Sequence, residues 1–175
     1  MTIPTYNDVL ASAERIHGFA VRTPLLYSPA LSERFDARIY LKSENLQRTG
    51  SFKFRGAFNA LCQIPEADRT RGVLAISSGN HGQGVAEAAR LLGIQATIIM
   101  PADAPEVKIT RTRDSGAELI FYDRANADRD QITKEQLQQS GAVLIHPFNN
   151  ADVIAGQGTI GLEIADELSS LGEVL

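Results

Sequence analysis

Four short apolar runs recur through the middle of the chain: Val73 to Ser77, Ala96 to Met100, Ala117 to Tyr122 and Ala142 to His146. Most are rich in β-branched residues and nearly unbroken by polar ones, the pattern of parallel strands buried on both faces. Between them, residues 82–92, 105–114 and 126–139 carry helical periodicity. In the first of these, Val85, Ala88, Ala89 and Leu92 share a face, Glu87 and Arg90 lie off it, and Gly93 stands where a helix-stopping glycine belongs. Strand and helix in alternation predict an α/β fold whose small lobe is a doubly wound, open, parallel four-stranded sheet with right-handed crossovers.

The flanks follow a different pattern. Residues 6–17 predict an amphipathic helix with Val9, Ala13 and Ile16 on one face, and residues 38–42 alternate like a strand. A helix follows from Phe52 to Ile64, and another is expected over residues 158–170, closed by Gly172. Val174 and Leu175 then read as the opening of a further strand, so the expectation is a chain cut inside a larger lobe. The division expected is 1–65 as the first part of a large lobe, 66–147 as the small α/β lobe, and 148–175 as the start of the return into the large one. Apolar faces of residues 1–60 and 150–175, such as that of Val9, Ala13 and Ile16, are expected to stand exposed for want of strands to cover them.

Charge and composition narrow the function classes. Lys and Arg number 17 against 21 Asp and Glu, a net charge of −4 that argues against nucleic-acid binding. No apolar run approaches a membrane span, and the polar N-terminus does not resemble a signal peptide. Cys62 is the one cysteine, so no internal disulfide framework exists. The expectation is a cytoplasmic protein without nucleic-acid or membrane partners.

Three segments offer chemistry. Lys53 lies at a helix start between Phe52 and Phe54, where the helix dipole gives a cation no support. Aromatic neighbours desolvate an amine and favour its use as a nucleophile toward carbonyl groups, whereas the plainer reading is an exposed lysine on a first helical turn. Residues 77–84, Ser-Ser-Gly-Asn-His-Gly-Gln-Gly, join a strand to a helix with small and polar residues, a ligand-binding position in open α/β sheets. Their glycines do not follow the G-x-G-x-x-G dinucleotide pattern, and a capped turn with Asn80 in a left-handed conformation remains the alternative. Residues 154–160, Ile-Ala-Gly-Gln-Gly-Thr-Ile, read as a third glycine-rich turn entering a helix. His17, His81 and His146 have no metal-ligand spacing, and no metal site is expected in this chain.

Together, Thr23-Pro24-Leu25, Glu44 through Ala57 with its Ser-Phe-Lys core, Ser77 through Gln83, and Ile154 through Thr159 resemble the serine/threonine dehydratase and serine racemase family. These are pyridoxal-phosphate enzymes of the tryptophan-synthase-β fold. The resemblance implies that Lys53 holds the cofactor through its side-chain nitrogen and later moves the Cα proton. It implies that Phe52 lies beside the cofactor ring and that Asn80 hydrogen-bonds the pyridine 3-hydroxyl. Ser77, Ser78, Gly79, Asn80 and His81 would cup the substrate carboxylate, and Gln157 would line the substrate cleft. Ser78 matches the acid/base of the racemases, at a position where many threonine dehydratases carry alanine. The family's phosphate-binding glycine loop, its partner for the pyridine nitrogen and its metal-site carboxylates all fall beyond Leu175. The implied activity is an ammonia-lyase converting serine or threonine to a 2-oxo acid and ammonia, homo-oligomeric at full length, with these 175 residues alone catalytically silent. Serine racemase or 3-hydroxyaspartate ammonia-lyase are alternatives on the same scaffold. A non-catalytic module holding a small anion or nucleotide at residues 77–84 is the alternative of another class.

Overall fold

A computed structural model describes residues 2–170 of the chain. Gly172 and the strand expected at Val174 and Leu175 lie outside the described residues. Helix α1 (Tyr6–Ile16) opens with a capping box, in which the Thr5 hydroxyl accepts from the Asp8 amide and the Asp8 carboxylate accepts from the Thr5 amide. Strands β1 (Leu25–Tyr27) and β2 (Tyr40–Lys42) pair antiparallel and flank α2 (Pro29–Phe35). A loop then leads into α3 (Lys53–Cys62), which is followed by the single turn α4 (Glu66–Arg69).

The expected parallel sheet comes next. Strand β3 (Val73–Ile76) leads to α5 (Asn80–Leu92), β4 (Ala96–Pro101) to α6 (Glu106–Asp114), and β5 (Glu118–Tyr122) to α7 (Arg129–Ser140). Strand β6 (Val143–Leu144) and α8 (Ala151–Ser170) complete the described chain. The strand order is β5-β4-β3-β6, every neighbour parallel. The chain therefore builds outward from β3 through β4 to β5 and returns to the other side of β3. Between β3 and β6 the order reverses, and beyond the carboxyl ends of the strands at such a point is where open α/β sheets hold their ligands. No helix among the described residues is long and apolar enough to cross a membrane.

One continuous core joins the sheet to the helices around it. Val73, Ala75, Ile98, Met100 and Ile145 from the sheet pack with Phe54, Phe58 and Leu61 of α3, Val85 and Ala88 of α5, and Val153 of α8. Two expectations are corrected here. Residues 154–160 are not a turn but lie inside α8, which starts at Ala151 and runs 20 residues. Their glycines serve close packing: a Cβ on Gly156 would stand 2.7 Å from the Gly56 Cα and 2.8 Å from the Arg55 carbonyl oxygen. Two helices crossing backbone to backbone leave no room for side chains, and the same glycines that read as loop residues permit that approach. The second correction concerns α1. Because α8 begins early, it reaches back over α1, burying Ile16 to 4% exposure and packing Gly158 against the Val9 methyls.

Candidate active site

Lys53 is the first residue of α3, and its side chain reaches across to the loop that follows β6, next to the point where the sheet order reverses. The Nζ donates a 3.0 Å hydrogen bond to the carbonyl of Pro147, in the loop that leaves β6. It also lies 5.2 Å from the centre of the Phe52 ring. Burial pushes the amine below its ordinary pKa, which raises the fraction able to attack a carbonyl carbon.

The backbone that carries Lys53 is clamped on three sides. A Cβ on Gly84 of α5 would come 3.1 Å from the Lys53 carbonyl carbon, so α5 rests directly on the lysine's own peptide. The Gln157 Oε1 accepts from the Gly56 amide at 3.2 Å and so occupies a free donor in the first turn of α3. Its Nε2 is buried without a partner. Gln157 thus braces the helix of Lys53, and its unpartnered amide leaves it a donor for a ligand.

Arg55 forms the third clamp and is fully buried. Its guanidinium donates to both oxygens of Glu44 at 2.7 and 2.9 Å and to both oxygens of Glu163 at 2.6 and 3.0 Å. The Thr159 hydroxyl and the Val21 carbonyl accept from it as well. Paired fork geometry of this kind is the arrangement that lets an arginine sit in a protein interior. Burial pushes the Glu44 carboxyl up, but the hydrogen bonds from Arg55 and Thr23 outweigh it and hold the group below its ordinary value. Lys42 extends the network, with its ammonium 2.8 Å from both Glu163 and Glu167. The sequence places Arg55 in the Ser-Phe-Lys-Phe-Arg-Gly segment but gives no sign of its partners, which come from chain segments far apart.

The turn from β3 into α5 lies at the same edge of the sheet. Ser77 and Gly79 are half-buried, while Ser78 and Asn80 are exposed. The Gly79 amide donates to the Ser77 Oγ at 3.1 Å, drawing the turn tight. Gly79 precedes α5, whose first turn presents unpaired N–H groups to an anion. His81 behaves differently from its neighbours. It is 4% exposed, and its Nε2 donates to the Ile145 carbonyl at 2.9 Å, tying α5 to β6. Burial and the nearby Lys53 and His146 charges depress its pKa to about 4, so the ring is neutral, with Nδ1 buried and unpartnered.

These features suit a carbonyl-bearing cofactor such as pyridoxal phosphate. The amine is partly desolvated, an aromatic ring lies beside it, and a helix N-terminus lies at the same edge of the sheet. The Thr49 and Ser51 hydroxyls, in the loop that leads into Lys53, are buried without protein partners. Buried polar atoms left unpaired in this way are expected where a ligand completes the structure.

The chain is 52% identical over 166 residues to the L-threo-3-hydroxyaspartate ammonia-lyase of Pseudomonas sp, covering 95% of this chain and 52% of that protein. It is 47% identical over 171 residues to the L-threonine ammonia-lyase of Thermotoga maritima, covering 98% of this chain and 43% of that protein. Maize serine racemase superposes with a TM-score of 0.92 at 33% identity, over 96% of this chain and 51% of that one. The chain therefore spans about half the length of the curated relatives it matches. Residues 16–174 match the family described as "Pyridoxal-phosphate dependent enzyme", and this chain belongs to that family.

Proposed function

We propose that this chain carries the lysine half of the active site of an ammonia-lyase that converts a small β-hydroxy amino acid, serine or threonine, to a 2-oxo acid and ammonia. The observation that carries the reading is the Lys53 amine at the point where the sheet order reverses, hydrogen-bonded to Pro147 and facing the turn into α5. Pyridoxal phosphate, when bound, supplies the electron sink that makes removal of a Cα proton feasible. Lys53 would hold the cofactor, with Phe52 beside its ring and Asn80 hydrogen-bonding its 3-hydroxyl. Residues 77–81 hold the substrate carboxylate at the start of α5, His81 acting through the position of the turn because its ring is committed to Ile145. With substrate bound, the Lys53 amine would take the Cα proton and the β-hydroxyl would leave with a proton as water; the enamine so formed would add a water to give the 2-oxo acid and release ammonia. Gln157 lines the cleft and steadies α3.

Ser78 favours a second reading, serine racemisation. The Ser78 hydroxyl is exposed on the turn, and in this reading it would return a proton to Cα from the side opposite Lys53. Incubation of the full-length protein with L-serine, L-threonine and L-threo-3-hydroxyaspartate, followed by 2-oxo-acid assay and chiral analysis, separates the reactions. Borohydride reduction after loading with pyridoxal phosphate is expected to fix the cofactor on Lys53. Lys53→Ala is expected to abolish both that label and turnover. No label at Lys53 and no product from any of the three substrates would leave a non-catalytic anion-binding module and overturn the proposal.

A further inference from the structure

The helices after β3 and β4 both begin at the carboxyl edge of the sheet, so the positive ends of α5 and α6 lie along one rim. Lys108, in the first turn of α6, adds a full positive charge to that rim. It is half-buried, and its Nζ lies 3.1 Å from where a Cβ on Gly79 would stand, directly over the residue that caps α5. Among the described residues its ammonium makes no hydrogen bond and no ion pair. A cation set beside two positive helix ends, and making no ion pair there, stands where an anion would be welcome. The other unpaired polar groups of the site are neutral, so none of them balances it.

We propose that Lys108 is a substrate-binding residue whose ammonium takes one oxygen of the amino-acid α-carboxylate held at the start of α5. This rests on the ammonia-lyase reading above for the identity of the anion. It assigns to α6 a share in substrate recognition alongside the Ser77–His81 turn. Gly79 fits the same geometry, because a Cβ there would push the ammonium a few tenths of an ångström off the turn.

The test compares L-alanine, which carries the carboxylate but no β-leaving group, with L-alaninamide, in which a neutral carboxamide replaces the carboxylate. Binding of each is measured by calorimetry on the full-length protein, with and without pyridoxal phosphate, for the unsubstituted protein, Lys108→Met and Lys108→Arg. Lys108→Met is expected to weaken L-alanine about tenfold to hundredfold, the loss of one charge-assisted hydrogen bond, and to leave L-alaninamide within about twofold. Lys108→Arg is expected to recover most of the loss, and the thermal midpoint checks that both variants are folded. Equal weakening of the two ligands, or none of either, overturns the assignment. So does failure of the unsubstituted protein to prefer L-alanine. Failure of borohydride to label Lys53 overturns the ammonia-lyase reading instead, because the contrast between the two ligands is read without turnover.

Discussion

Protonating His81 requires placing a charge in a site that excludes water and already faces the Lys53 amine. Its pKa is about 4 in the folded chain against about 6.5 when unfolded, so between those values the unfolded state binds more protons. Stability is therefore expected to be fully present above pH 6.5 and to decline as pH falls through 4, by on the order of 3 kcal/mol from this group. Urea denaturation of the protein and of His81→Gln across that range checks it: the substituted chain should lack this part of the slope. The sequence marks His81 as one member of a ligand turn. What it does not reveal is that the ring points inward to Ile145, 64 residues away. Lys108 was equally readable and passed unmarked. A lysine in the first turn of a helix, against the dipole, is the same anomaly that draws attention to Lys53, but no aromatic residue flanks it.

Among the elements, the crossing of α3 and α8 decides how firmly Lys53 is held. Gly156 and Gly56 meet with their backbones in contact, and a Cβ on Gly156 would collide with main-chain atoms that have no rotamer to escape into. Gly156→Ala is expected to force the helices apart, at about 1–3 kcal/mol, even though alanine favours a helix. Chemical denaturation measures the loss, and a rise in the apparent Lys53 pKa, read from the pH dependence of cofactor loading, reports the displacement. The four parallel strands, β2, α5, α6 and the start of α3 were legible in the sequence to within a few residues, because hydrophobic period and capping residues report local structure, whereas the three residues of β1 are too few to show a period. Residues 154–160 were not, since glycine in a turn and glycine at a helix crossing leave the same mark on a sequence. Only the partner helix distinguishes them. The Arg55 network was opaque for a related reason: its carboxylates, Glu44 and Glu163, are separated from it by 11 and 108 residues.

Across the whole molecule, the parallel sheet and its order of assembly determine when the site comes into being. Strand β6 has two residues and joins β3 by Val143 donating to the Gly72 carbonyl and Ile145 donating to the Leu74 carbonyl. Beyond it lies Pro147, 94 residues from the lysine that it receives. Contacts of such long separation form late in folding, after the local β3–α5–β4 unit has supplied a surface to dock on. Pulse-labelling hydrogen exchange during refolding is expected to protect the Ile98 and Ile99 amides of β4 before those of Val143 and Ile145; simultaneous protection would show that the sheet closes in one step. Until β6 docks, the Lys53 amine is an ordinary, hydrated and protonated lysine. The amine's lowered proton affinity therefore belongs to the assembled fold and not to the α3 segment, so the group acquires its reactivity last.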